Sequence, residues 1–87
     1  MIIITLKSFD KSYIKLTEKM KNAAKERLDL FKDNPFTTIL HNHQLKGSLK
    51  DYRSINVTGD YRIIYEYIDE VTIKLIDIGA NSQLFGK

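Results

Sequence analysis

The chain has 87 residues, of which 43% are hydrophobic, and no cysteine. That suits one small domain spanning residues 1–87, with one core, and excludes disulfides and thiolate metal sites. The net charge of +3 is mildly basic, with its excess upstream of residue 66, and is weak evidence by itself for a nucleic-acid partner.

The opening apolar run, Met1 to Ile4, is far shorter than the roughly 20 residues of a membrane helix. Its basic residues follow the run, whereas a secretory leader needs them in front. No membrane association is therefore expected, and a cytoplasmic protein is the simplest reading. The β-branched stretch itself predicts a strand from Ile2 to about Lys7.

From Ser8 the period lengthens. Phe9, Tyr13, Leu16 and Met20 recur at three- and four-residue steps, and Ala23, Ala24, Arg27, Leu28 and Phe31 continue the stripe. Lysines and acids fall mostly outside it, as on an amphipathic helix. Thr17-Glu18 has the chemistry of an N-cap with a first-turn acid, so two helices are expected, about 10–16 and 18–33. Asn34-Pro35 ends the second, since proline disfavours helical backbone in the residue before it.

Residues 36–50 show no period and read as an irregular crossing. From Tyr52 the period is two: Arg53, Ile55 and Val57 share one face, and Tyr52, Ser54 and Asn56 the other. Gly59-Asp60 supplies a turn. Tyr61–Ile68 and Val71–Ile78 follow as strands, with Asp69-Glu70 turning between them. Short turns imply an antiparallel meander. The fold class is α+β in the order β-α-α-β-β-β, a small antiparallel sheet with a helical hairpin on one face and the other partly open.

Chemistry is expected on that open face. Arg62 lies among apolar strand residues and cannot enter a core unpaired, so it either pairs with Glu66 or Asp60 or binds an anion. His41 and His43 are two apart and would point the same way in an extended segment, but no third metal ligand is near in sequence. A histidine beside basic residues can instead move protons near neutral pH. No phosphate loop or nucleophile elbow is present.

The stretch "HQLKGSLKDYRSINVTGDYRIIYEYIDEVTIKLIDIGANSQLFG", residues 43–86, resembles the C-terminal half of the RelE/ParE toxin superfamily of toxin–antitoxin systems. It looks closest to the YafQ-like and RelE/StbE branch. Four linked segments carry the likeness: the histidine–leucine–glycine opening, the Tyr52–Asp60 strand and turn, Tyr61–Tyr65, and Ile78–Phe85.

The resemblance implies a metal-independent endoribonuclease, needing no cofactor, that cleaves messenger RNA in the ribosomal A site and inhibits translation. It also implies a cognate antitoxin partner, in an oligomeric complex that binds operator DNA through the antitoxin. Carried over by position, His43, Asp60, Arg62 and Asn81 are the expected catalytic residues. His43 would transfer protons, Asp60 act as base or orient one, and Arg62 clamp the phosphate. Lys46, Lys50, Arg53, Ser54, Asn56, Gln83 and Phe85 would contact RNA, with Phe85 against a base.

The sequence departs from the pattern at three places. Gln44 replaces a proline, Ala80 a threonine, and Asn81 a histidine. An amide cannot exchange a proton at neutral pH. The alternative is therefore a non-nuclease member of the fold: a ParE-like gyrase inhibitor, or an inactive toxin that only binds its antitoxin.

Overall fold

The structure, a computed structural model, describes residues 1–85. Gly86 and Lys87, including the last glycine of the expected motif, lie outside the described residues. Among the described residues ten elements follow one another, and the major ones match the expected order.

Strand β1 is Ile2–Thr5, and helix α1 is Lys7–Ile14, earlier than the sequence stripe suggests. Leu6 ends the strand in extended backbone and serves as the N-cap, so the helix begins where the strand stops. Helix α2 is Glu18–Asp33, and the Thr17 hydroxyl accepts the Met20 N–H at 3.1 Å, as its N-cap position predicts. At the far end the Asn34 side chain accepts from Phe36 N–H, closing the Asn-Pro stop.

The crossing that lacks a period holds two 3-10 turns, Thr38–Leu40 and Gly47–Leu49, around a two-residue strand β2, His43–Gln44. Strands β3 (Arg53–Asn56), β4 (Tyr61–Tyr67) and β5 (Thr72–Ala80) form the expected antiparallel meander. The last described element, α3, is a helical turn, Asn81–Phe85.

The sheet order is β1-β5-β4-β3-β2. It is mixed, not wholly antiparallel, because β1 runs parallel to β5 with Ile2 opposite Thr72 and Thr5 opposite Leu75. The helical pair between β1 and the meander forms the crossover that a parallel pair requires. In the β4–β5 ladder Ile64 faces Asp77 and Tyr65 faces Leu75, leaving Ile76 as a bulge. Helix α1 holds this irregularity: Ser8 Oγ donates to the Ile76 carbonyl and Ser12 Oγ to Asp77 Oδ1, both at 2.6 Å.

Both helices pack on one face. Phe9, Ala24 and Phe31 meet Ile55, Val57, Ile63, Tyr65, Ile73, Leu75 and Ile78 in the buried core. Arg27 lies in the helical stripe because its Nε donates to the Val57 carbonyl at 2.6 Å. No helix among the described residues is long and apolar enough to cross a membrane.

Candidate functional site

Strand register assembles the other face. Asn56 is opposite Arg62, which is opposite Gly79, so these three share one cross-sheet row. The next row holds His43, Ser54 and Ile64. Two-residue alternation puts Asn56, Arg62, His43, Ser54 and Ile64 on the side away from the core residues Ile55, Ile63 and Tyr65, while the second row ends at Asp77, whose carboxylate is held by Ser12 of α1. His43 is thus two strands and one row from Arg62, roughly 12 Å between Cα atoms.

The two rows contain an electrostatic peculiarity. Ser54 Oγ, Asn56 Oδ1 and Arg62 Nη1 are shielded from solvent, and no protein group hydrogen-bonds to them; among the described residues these are the three such side-chain atoms. An unpaired buried polar atom costs about 1–3 kcal/mol, more when charged. Such a cluster on one face leaves hydrogen-bonding capacity that a water, an ion or a ligand can take up. Arg62 does not take up either expected ion pair: Glu66 bridges Lys74 at 3.9 Å, and Arg62 is in neither salt bridge found among the described residues.

Asp60 and Asn81 meet at the turn end of the same region. Asn81 N–H donates to the Asp60 carbonyl at 3.1 Å, which fixes α3 against the β3–β4 turn. Gln83 Oε1 accepts the Ala80 N–H at 2.9 Å. With Ala80 just before the helix and Gln83 three residues on, this is half of a capping box; alanine lacks the hydroxyl that would complete it. Gly79 lets Gln83 fold back this closely. A Cβ on it would lie 2.9 Å from Gln83 Oε1 and 3.5 Å from Leu84 Cδ2. Leu84 packs over the glycine, while Phe85 remains exposed.

The remaining expected residues lie elsewhere. Lys46 and Lys50 are exposed around the second 3-10 turn, beyond the end of β2–β3 opposite Asp60 and Asn81. Arg53 is on the helix side, as its alternation with Ile55 implies, and not with Arg62. Its Nε donates to Asn42 Oδ1 at 2.9 Å, and its guanidinium lies 5.4 Å from the Phe36 ring centre. The His41–His43 segment is not the extended one in which two histidines would point the same way, because His41 has left-handed backbone (φ 47°).

Asn42 carries no signal in the sequence, yet it is the hub of this loop. Its Nδ2 donates to the Pro35 carbonyl at 2.9 Å and to Tyr65 Oη at 2.8 Å. Its Oδ1 is also reached by Tyr65 Oη at 3.0 Å. Burial pushes the Tyr65 hydroxyl up to about 12, with the Asn42 hydrogen bond pulling the other way. Among the described residues no group of three or more histidine, aspartate or glutamate side chains is placed to hold a metal ion.

A family model for YafQ, a bacterial toxin of type II toxin–antitoxin systems, matches residues 2–86. The chain belongs to the YafQ toxin family. Similar solved structures include YafQ from E. coli strain BL21(DE3), at 28% identity and TM-score 0.80 over 97% of both chains. The E. coli DinJ–YafQ complex matches at 27% identity and TM-score 0.77, again over 97% of both chains. A YoeB/ParE toxin from Agrobacterium tumefaciens shares the fold at 19% identity and TM-score 0.77, over 92% of this chain and 98% of that one. No curated protein matches in sequence.

Proposed function

We propose that this toxin cuts messenger RNA on the face around Arg62, in the ribosomal A site, and is held inactive by a cognate antitoxin. The observation that carries the proposal is the unpaired, shielded Arg62 Nη1 beside Ser54 Oγ and Asn56 Oδ1. A planar guanidinium with free donors suits a phosphodiester, whose two non-bridging oxygens it can bind together. Cleavage needs the substrate's 2′-hydroxyl to form an O2′–P bond while the P–O5′ bond breaks. One proton leaves O2′ for a base, and another reaches O5′, giving a cyclic phosphate and a free 5′-hydroxyl.

His43 and Asp60 are the titratable groups for these transfers, and Arg62 stabilises charge on the phosphate. Asn81, bound to the Asp60 turn through its own N–H, supplies an amide to phosphate or base. Exposed Phe85 and Gln83 on α3 suit a base, and Lys46 and Lys50 suit neighbouring phosphates. The antitoxin partner is supported by the E. coli relative solved as a DinJ–YafQ complex. An oligomeric toxin–antitoxin assembly contacting operator DNA through the antitoxin belongs to the same proposal.

A specific observation favours a second reading. Asn56 shares a row with Arg62, and Asn81 lies at the same end of the sheet; neither amide can exchange a proton. On that reading the face binds without cutting, as a gyrase inhibitor or as a toxin that only engages its antitoxin. Induction in cells with primer extension on a reporter messenger RNA separates the two. Growth arrest with discrete cleavage is expected, and Arg62→Ala should lower cleavage by about 10²–10³-fold. Protein made without arrest or cleavage would sink the nuclease reading. Cleavage gained only in Asn81→His would identify the amide as the limiting group.

A further inference from the structure

We propose that His41 is a positioning residue whose left-handed backbone sets the tautomer of His43. The inference concerns the site proposed above and depends on that reading for its consequence, though not for its first test. His43 Nδ1 lies 2.8 Å from the carbonyl oxygen of His41. A carbonyl oxygen has no proton to give, so the imidazole must donate from Nδ1. The neutral ring then has its lone pair on Nε2. Nε2 becomes the ring atom that takes a proton, and, once the ring is charged, the one that returns it.

The carbonyl is aimed by backbone, not by chance of a side chain. His41 has φ 47° and ψ 46°, a conformation open to few non-glycine residues, histidine among the more tolerant. Both sides hold it there. Its own N–H closes the 3-10 turn on the Thr38 carbonyl at 3.1 Å. The next residue, Asn42, is tied to Pro35 and to the buried Tyr65 hydroxyl. His43 then enters β2 opposite Ser54, in the row beside Arg62. The chain thus turns back sharply just before the strand, and the same turn places the acceptor for Nδ1.

Two substitutions separate backbone from side chain. His41→Gly removes the imidazole but keeps the left-handed conformation accessible, whereas His41→Val disfavours it through branching at Cβ. Long-range proton–nitrogen NMR correlations of the RNA-free protein, recorded with the ring neutral, report which nitrogen of His43 carries hydrogen. The wild type and His41→Gly should show Nδ1 protonated and Nε2 bare. His41→Val should shift His43 toward the Nε2–H tautomer. A wild-type ring with hydrogen on Nε2 overturns the proposal, and so does an unchanged tautomer in a folded His41→Val.

Cleavage supplies an independent arm. His41→Gly should keep it, and His41→Val should slow it by roughly tenfold or more, within what one proton-transfer group contributes. If the tautomers behave as stated while no variant cleaves RNA, the nuclease reading fails and the positioning by His41 stands. If His41→Gly loses cleavage with its His43 tautomer intact, the imidazole of His41 acts directly, and a purely positioning role is overturned.

Discussion

Removing the Asn42 side chain tests whether one amide holds the loop that presents His43. In Asn42→Ala the Tyr65 hydroxyl, on a residue with no exposed surface, loses both contacts to the amide. Leaving it unpaired costs about 1–3 kcal/mol. The Pro35 carbonyl and Arg53 Nε also lose a partner, but both lie where water can compensate part of the loss. The expected destabilisation is about 2–4 kcal/mol in all. For a domain of this size that lowers Tm by roughly 8–30 °C. Thermal unfolding followed by circular dichroism gives the first number. A cycle with Tyr65→Phe then isolates the pair, and Asn42→Ala/Tyr65→Phe should be less destabilised than the two single variants summed, by roughly 1 kcal/mol or more. A loss below about 1 kcal/mol in Asn42→Ala, or additive single variants, would refute the hub assignment.

Three further outcomes follow from the geometry. Gly79→Ala should push Gln83 away and break its bond to the Ala80 N–H, costing about 1 kcal/mol and raising amide exchange across α3; unchanged exchange in α3 would count against the fit described for Gly79. Ala80→Thr supplies the missing hydroxyl of the capping box and should add about 1 kcal/mol, read as a rise in Tm; no rise would mean the helix start needs no second cap. Tyr65, raised from 10.0 to about 12, keeps its proton in the folded chain where the unfolded chain loses it. Its contribution is complete below pH 10 and disappears as pH climbs to about 12, a loss of roughly 3 kcal/mol in denaturant titrations across that window. A flat profile there would show that the hydroxyl ionises as freely folded as unfolded.

Local chemistry was readable wherever a period or a cap carried it. The Phe9–Met20 and Ala23–Phe31 stripe located two helices, Thr17 marked their break, and alternation put Arg62 opposite Ile63 and Tyr65. The same alternation placed Arg53 with Ile55, a stronger guide to its surroundings than its position in the family motif. What escaped depends on residues far apart in sequence. Nothing near Ile2 signals that its neighbour is Thr72, or that the pair is parallel. Asn42 and Tyr65 are separated by 23 positions, so a buried hydrogen-bond hub looked like one more polar loop residue. His41 defeated the expectation of an extended pair because a single left-handed residue interrupts the alternation. The candidate site was legible as residue types, while its unpaired atoms needed the register of three strands.

The parallel bond between β1 and β5 also governs when the fold can be completed. Strand β5 is interior, with β1 on one side and β4 on the other, and it carries Gly79 and leads into α3. A nascent chain that has not yet produced residues 72–80 leaves β1 without its ladder and Arg62 without the strand that flanks it. Contacts this distant form late, after a large loss of chain entropy. The face around Arg62 therefore takes shape only once residues 72–80 have been made and paired, and a partner able to recognise the finished sheet meets it only then.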